Sequence, residues 1–326
     1  MGTAKMRAAG EYAIGFDGGG TKSECVLLSR ADAVLAQAVS GPSNPLRVGF
    51  DQAFASLSAA AGHVLTAARV EASEVTAVCA GVAGAGHARV VKRMMAYLVE
   101  TFPAADVHVT TDLEVALEAA VGDGPGIVLV SGTGSAAFGR DASGRTVRAG
   151  GHGPWIGDEG SAFDIGRRAI AAMARARDAM APVTLLADMV PAAMECPDWS
   201  TLLERIADNP DEILPRIFPL VVEAAEAEDA PAQEILYGAA VGLSALAVSV
   251  ARRLDLAEKK FTLGKVGGVF GHSRFLDETL EALVRSAARR AEIRPLEISP
   301  AQGAARLAQR LLERQNSRFT HDPQAR

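Results

Sequence analysis

The chain of 326 residues has only three cysteines, Cys25, Cys79 and Cys196, far apart and never in a CxxC pair. Their spacing excludes a legible zinc or iron–sulfur site and suits a reducing compartment. Excess positive charge is missing too: 33 Lys and Arg face 39 Asp and Glu, a net charge of −6. That balance argues against a nucleic-acid or anionic-membrane partner. No apolar run approaches the roughly 18 residues of a membrane-crossing helix. The opening MGTAKMRAAGEY lacks the apolar core of a signal peptide, and no helix pair of DNA-binding type precedes Tyr12. A cytoplasmic protein is the expectation. What remains is an ordinary globular composition, 49% hydrophobic and 22% charged. Its length exceeds one core and predicts two domains.

The richest stretch is Gly15–Ser29, GFDGGGTKSECVLLS. An apolar run, Tyr12–Phe16, reads as a short buried strand ending on Asp17, and Cys25–Leu28 reads as a second strand. Between them, consecutive glycines let backbone N–H groups turn toward one point, which makes a nest for an anion such as phosphate. Thr21 adds a hydroxyl, Lys22 a mobile positive charge, and Asp17 a carboxylate able to hold Mg²⁺ through water. A P-loop needs Lys-Ser or Lys-Thr directly after its last glycine and then a helix, and a dinucleotide fingerprint also needs the helix. Here Thr21 intervenes and a strand follows, so both are excluded. A phosphate loop between two antiparallel strands remains, as in sugar kinases and heat-shock ATPases, beside the plainer reading of a Gly-rich hairpin turn.

Ala33–Val39 offers a third strand, completing a meander. In the loop Gly41–Gly49, Asn44 precedes Pro45, so its backbone is held extended. Asn44 is either a turn former or a ligand contact. Phe50–Val70 has helical period, and Val75–Ala80 is a strand running into the glycine loop Gly81–Gly86, a ligand position or a close helix–strand packing point. His87–Glu100 reads as a helix and Asp106–Thr110 as a strand. Asp112, at the next strand-to-helix junction, suits an N-cap and also a general base. The opening grammar then returns after a linker at Gly122–Gly126: strand Ile127–Val130, loop Ser131–Ser135 (SGTGS), strand Ala136–Gly139. Two strand–glycine-loop–strand units suggest duplicated domains gripping the phosphates of one nucleotide from opposite sides. In Gly150–Ala169, Asp158 and Glu159 are positioned either to accept hydrogen bonds from sugar hydroxyls or to serve the N-terminus of the helix starting near Gly160. His152 reads as loop packing or a ligand-facing side chain, and Trp155 reads as core, with stacking on a ligand ring as the alternative. Residues 169–256 are almost all helical. Strand Phe261–Lys265 leads into VGGVFGHS, a tight turn or a small apolar surface for adenine. Pro300–Arg314 reads as a helix and residues 315–326 as a disordered tail.

In this order, DGGGTKS, TDLEVAL, GIVLVSGTGSAAFG, GGHGPWIGDEGSAFDIGR, KVGGVF and PAQGAARLA resemble the N-acetylglucosamine kinase branch of the actin-like ATPase superfamily, which also holds the BadF/BcrA-type ATPases. The similarity runs from about Ile14 to Leu312. It implies an α/β fold of two ribonuclease H-like (actin-like ATPase) domains with a cleft between them, at 1–121 and 122–299, with the helix 300–314 returning to the first and a helical insertion in the second. It implies ATP and Mg²⁺ as cofactors. Asp17, Gly19, Thr21 and Lys22 would form the first phosphate loop, with Mg²⁺ held by Asp17 through water. Gly132, Thr133 and Gly134 would form the second, and Gly267 and Gly268 the adenosine contact. Asp112 matches the catalytic aspartate, and Asn44, Gly151, Asp158 and Glu159 match sugar-holding positions. The family often has Trp where this chain has His152.

The implied reaction is phosphorylation of the 6-hydroxyl of an amino sugar, N-acetylglucosamine foremost and glucosamine as the rival. A BadF-type activator ATPase, which carries an iron–sulfur cluster at a dimer interface, and a non-catalytic sugar sensor are the other classes. The expected partner is a small-molecule sugar, with no nucleic acid and no membrane, and a homodimer is left open.

Overall fold

The computed structural model describes residues 12–320, so the readings made on residues 1–11 and 321–326 lie outside the described residues. Two compact units divide the chain, the crossings falling between Asp123 and Gly124 and between Pro295 and Leu296.

The first unit opens with the meander β1 (Tyr12–Gly18), β2 (Ser23–Ser29) and β3 (Val34–Ser40). Helix α1 (Pro45–Ala68) follows, broken at Gly49, whose φ of 78° explains why the helical period starts at Phe50. Strand β4 (Val75–Val82), α2 (Ala88–Thr101), β5 (Asp106–Thr110) and α3 (Asp112–Val121) complete this part. The sheet order is β3-β2-β1-β4-β5, with β4 and β5 parallel to β1. Alternation along β1 and β2 sends Ile14, Phe16, Cys25 and Leu27 to one face, where they pack with Phe50, Leu57, Val64, Met94 and Leu98 from α1 and α2. Ala13, Val26 and Leu28 go to the other face.

The second unit repeats the plan. Strands β6 (Gly126–Ser131), β7 (Ser135–Arg140) and β8 (Thr146–Gly150) form the meander. Six helices follow: α4 (Ala162–Arg177), α5 (Leu186–Ala193), α6 (Trp199–Asp208), α7 (Pro210–Arg216), α8 (Phe218–Glu226) and α9 (Ala230–Arg253). Then come β9 (Phe261–Val266), α10 (Arg274–Ala287) and β10 (Ala291–Pro295). The sheet order, β10-β9-β6-β7-β8, is that of the first unit read from the other edge. The fold is α/β, two ribonuclease H-like units of five strands each. β8, α10 and β10 go beyond the elements read from the sequence. Helix α9 corrects the expectation that no apolar run nears membrane-crossing length: its 24 residues are long and apolar enough to do so. Its Leu236, Ala239, Leu243, Ala247 and Val250 are instead buried in the core of the unit.

The chain ends in α11 (Pro300–Thr320), which belongs to the first unit and lies across β1 and β2. Residues 315–320, expected as tail, continue this helix. Ala301, Ala304, Ala305 and Ala308 of α11 pack on Ala13, Val26, Leu28, Ala77 and Cys79. The approach is backbone to backbone: a Cβ on Gly15 would overlap the Ala301 carbonyl oxygen and the Ala305 nitrogen.

Candidate active site

In the first unit the site is built from the turn between β1 and β2. Gly19 N–H donates to the Lys22 carbonyl at 3.0 Å, closing the turn, and the Gly19 carbonyl accepts from Ser43 N and Asn44 N at 3.0 and 3.1 Å. Buried Ser23 Oγ donates to the Gly41 carbonyl at 2.8 Å and pairs with Ser43 Oγ at 2.6 Å. The turn and the segment 41–47 are therefore one piece. The second glycine loop joins it, with Ala83 N–H donating to the Gly18 carbonyl at 2.8 Å. Each glycine of the triplet leaves room for something: a Cβ on Gly18 would overlap Ser43 Oγ, one on Gly19 would lie 3.2 Å from the Lys22 carbonyl oxygen, and one on Gly20 would lie 3.0 Å from Arg47 Nη1. Thr21 and Lys22 stand exposed at the tip.

Asp17 sits at the end of β1, opposite Glu24 on β2 and Gly81 on β4. Burial, then the neighbouring charges of Asp112 and Glu24, push its carboxyl up to about 7, against a smaller opposing pull from Lys22. The charge of Asp112 thus reaches Asp17. Asp112 is the first residue of α3, but the cap is Thr111, whose Oγ1 accepts from Glu114 N at 3.2 Å. The capping role read for Asp112 falls to its neighbour, because the preceding residue has the extended backbone a cap requires. Asn44 caps α1, its Oδ1 accepting from Leu46 N at 3.0 Å. A Cβ on Gly84 would lie 3.2 Å from that same Oδ1, so the loop after β4 abuts Asn44. Gly81 is a packing glycine, its Cβ position taken by Val115 of α3.

In the second unit three loops converge. Gly132 N–H donates to the Gly134 carbonyl at 2.9 Å, and the Gly132 carbonyl accepts from Ala162 N at 2.8 Å. Space beside Gly132 is open. Asp158, with a positive φ of 61°, turns its carboxylate onto this loop, accepting from Ser135 N at 3.3 Å. It leaves no room for a side chain on Gly134. Burial raises its carboxyl above the usual range, partly offset by the Ser135 bond. Glu159 offers its carbonyl to Ser135 Oγ at 2.8 Å while its Cβ presses on Gly242 of α9. The helix α4 is capped by Ser161, not by this acid pair. Gly151, at φ 68°, donates to the Ser135 carbonyl at 2.8 Å, and the Arg148 guanidinium occupies the place of its side chain. His152 is exposed beside Asp158. Trp155 is not core: it is 78% exposed, touching Phe163 edge-on at 6.0 Å.

The third loop follows β9. Gly267, at φ 118°, lies so close to Ser131 that a Cβ would strike its carbonyl oxygen, and Val269 N–H donates to that carbonyl at 3.1 Å. Gly268 is exposed with open space around it. Nearly buried Lys265 pairs with Asp277 at 2.7 Å and Glu281 at 3.1 Å of α10, while the other Asp277 oxygen accepts from Gly271 N at 2.8 Å. Lys265, Asp277, Arg47 and Ser43 escaped the sequence reading as site residues, since none belongs to a spacing pattern.

Two curated relatives share 29% identity with this chain. The N-acetylmuramic acid/N-acetylglucosamine kinase of Clostridium acetobutylicum aligns over 271 residues, 82% of this chain and 88% of its own. The N-acetyl-D-glucosamine kinase of Dictyostelium discoideum aligns over 311 residues, 91% and 98%. A crystal structure of a candidate N-acetylglucosamine kinase from Chromobacterium violaceum superposes with a TM-score of 0.72 at 26% identity, covering 92% of this chain and 99% of that one. A profile of the BadF/BadG/BcrA/BcrD ATPase family matches residues 14–308. With nearly its whole length matched, the chain belongs to the BadF/BadG/BcrA/BcrD ATPase family.

Proposed function

We propose that this protein is an ATP-dependent kinase that phosphorylates the 6-hydroxyl of an amino sugar, N-acetylglucosamine foremost, in the cytoplasm. The observation that carries the reading is the pair Asp17, near the end of β1 beside the glycine turn, and Asp112, the first residue of α3, two carboxylates whose charges act on one another. Phosphoryl transfer needs positioning and charge neutralisation more than covalent help. Asp112 takes the proton from the sugar hydroxyl, a step worth about 10²–10⁴-fold. The amides and cation of the 18–22 turn and the Gly132–Gly134 turn bind phosphates, and Gly267 with Gly268 receives the adenosine. Asn44, Gly151 and Glu159 orient the sugar. Asp158 serves it indirectly, through the loop it braces.

The residues fit Mg²⁺. Asp17, raised to about 7 by burial first and then by the charges of Asp112 and Glu24, is a place short of a cation. Among the described residues no group of three or more His, Cys, Asp or Glu forms a cage. Asp17 would hold the ion through water, with phosphate oxygens completing its shell, as Mg²⁺ prefers. When bound, the ion neutralises charge on the transferring group.

The three cysteines are each buried and unpaired, which supports a kinase over an iron–sulfur activator. The kinase reading is tested by ADP release with Mg-ATP across N-acetylglucosamine, glucosamine, N-acetylmannosamine, N-acetylmuramic acid, glucose and no sugar. Strong stimulation by N-acetylglucosamine is expected, and sugar-independent hydrolysis would sink the reading. Asp112→Asn should lose at least a hundredfold in kcat while sugar binding and melting temperature hold, since Thr111 keeps the helix cap. Turnover near wild type would remove Asp112 as the base.

A further inference from the structure

The 41–47 segment brings one more charged group to the first glycine turn. Arg47 leans over Gly20: a Cβ there would lie 3.0 Å from Nη1, 3.2 Å from Cδ and 3.8 Å from Cζ of the arginine. Gly20 has an ordinary φ, so its missing side chain serves this approach and not a strained turn. The segment carrying Arg47 is fixed to the turn by the bonds from Ser43 N and Asn44 N to the Gly19 carbonyl. Arg47 N–H in turn donates to the Asn44 carbonyl at 3.0 Å. The arginine is exposed, so its place over the turn is not core packing.

Charge gives the reason for a cation here. The charges of Asp112 and Glu24 act on Asp17 at the foot of the turn, and a nucleoside triphosphate adds several negative charges. Guanidinium is the side chain that meets phosphate oxygens through two parallel hydrogen bonds. We propose that Arg47 contacts the terminal phosphate of bound ATP and the phosphoryl group as it transfers, alongside Lys22. The proposal rests on the phosphate role of the 18–22 turn given above. In the step, the bond from the γ-phosphorus to the β–γ bridging oxygen breaks and ADP leaves with the electron pair. The sugar oxygen bonds to phosphorus and its proton passes to Asp112. Arg47 gains its strongest contact as charge spreads over the three outer oxygens.

The test is calorimetric binding of a non-hydrolysable ATP analogue and of ADP, followed by turnover. Arg47→Ala should weaken the analogue at least tenfold and ADP less than twofold, and cut kcat at least a hundredfold with the sugar KM near wild type. Arg47→Lys should recover part of both losses. Gly20→Ala should displace the guanidinium and give an intermediate loss with the same ATP-over-ADP bias. Arg93→Ala removes an exposed-face arginine stacked at 3.8 Å on Phe50 and should change neither nucleotide's affinity, which controls for net charge. Equal effects of Arg47→Ala on the analogue and ADP, or none, overturn the proposal. A wild type that prefers the analogue through Arg47 but phosphorylates no sugar upholds Arg47 and defeats the kinase reading. A wild type that binds neither nucleotide overturns both.

Discussion

Asp17 is held by its surroundings in a state unlike that of a free carboxyl. Its folded value of about 7 lies above the ordinary 3.8. Between those limits the folded protein keeps a proton that the unfolded chain gives up. Stability from this group is therefore fully present below about pH 4 and is lost as pH rises through 7. In cation-free buffer, the melting temperature of wild type should fall from pH 5 to pH 8 relative to Asp17→Asn, and Mg-ATP should shrink the difference. Melts of both proteins at four pH values check this; parallel curves would clear Asp17 of the effect. The sequence marks Asp17 by its place before three glycines. It does not mark Glu24 as a neighbour, because that proximity exists only once the hairpin pairs residue 17 with residue 24. Arg47 is hidden for the same reason: thirty residues separate it in sequence from Asp17, and the folded segment 41–47, bonded to the turn through Ser43 and Asn44, brings it back.

Among loops, the pair Gly267 and Gly268 separates what a sequence treats as equal. Gly267 has a positive φ and a filled Cβ position against Ser131, whereas Gly268 has neither. Gly267→Ala should destabilise the protein by about 2 kcal/mol or more, and should weaken adenine-nucleotide binding as the loop leaves β6. Gly268→Ala should melt like wild type. Urea midpoints at unchanged m-value measure the contrast, and equal midpoints would contradict the tethering of this loop. Elements differ in legibility for physical reasons. The buried strands β1, β4 and β6 are continuous apolar runs bounded by glycine, which period and punctuation make plain. The edge strands β8 and β10 are five residues long and half exposed, with Arg148, Glu292 and Arg294 in them, so no apolar pattern marks them. Helix α10 did carry a signal: Ser273 caps it and Leu276, Leu280 and Val284 recur four apart. Trp155 shows the limit of residue type as a guide to burial, since its exposure is decided by the loop around it.

At the scale of the molecule, the repeated grammar at Gly15 and Ile127 announces two copies of one plan, and both sheets have that plan's strand order. The copies differ in how they are closed. The second unit is one continuous stretch, 124–295, whereas the first is two pieces joined by α11. Burial of Ala13, Val26, Leu28, Ala77 and Cys79 depends on a helix nearly 180 residues downstream of Asp123. Without it, the part of this sheet face that α3 does not cover would open to water, and Gly15 would become an unfilled slot. Residues 124–295 produced alone should give a cooperative thermal melt, because every strand pairing and the apolar core of that unit lie within them. Residues 12–123 alone should not, and a peptide of residues 296–320 added in trans should restore a melt that depends on peptide concentration, as binding to the folded state requires. Small side chains make this dependence sharp: Ala301, Ala304, Ala305 and Ala308 allow the helix backbone to touch the sheet, so a bulky replacement has nowhere to go. Ala305→Leu in the peptide should therefore abolish the rescue. A cooperative melt of 12–123 by itself, at the temperature of the intact chain, would make α11 an appendage and leave Gly15 without its reason.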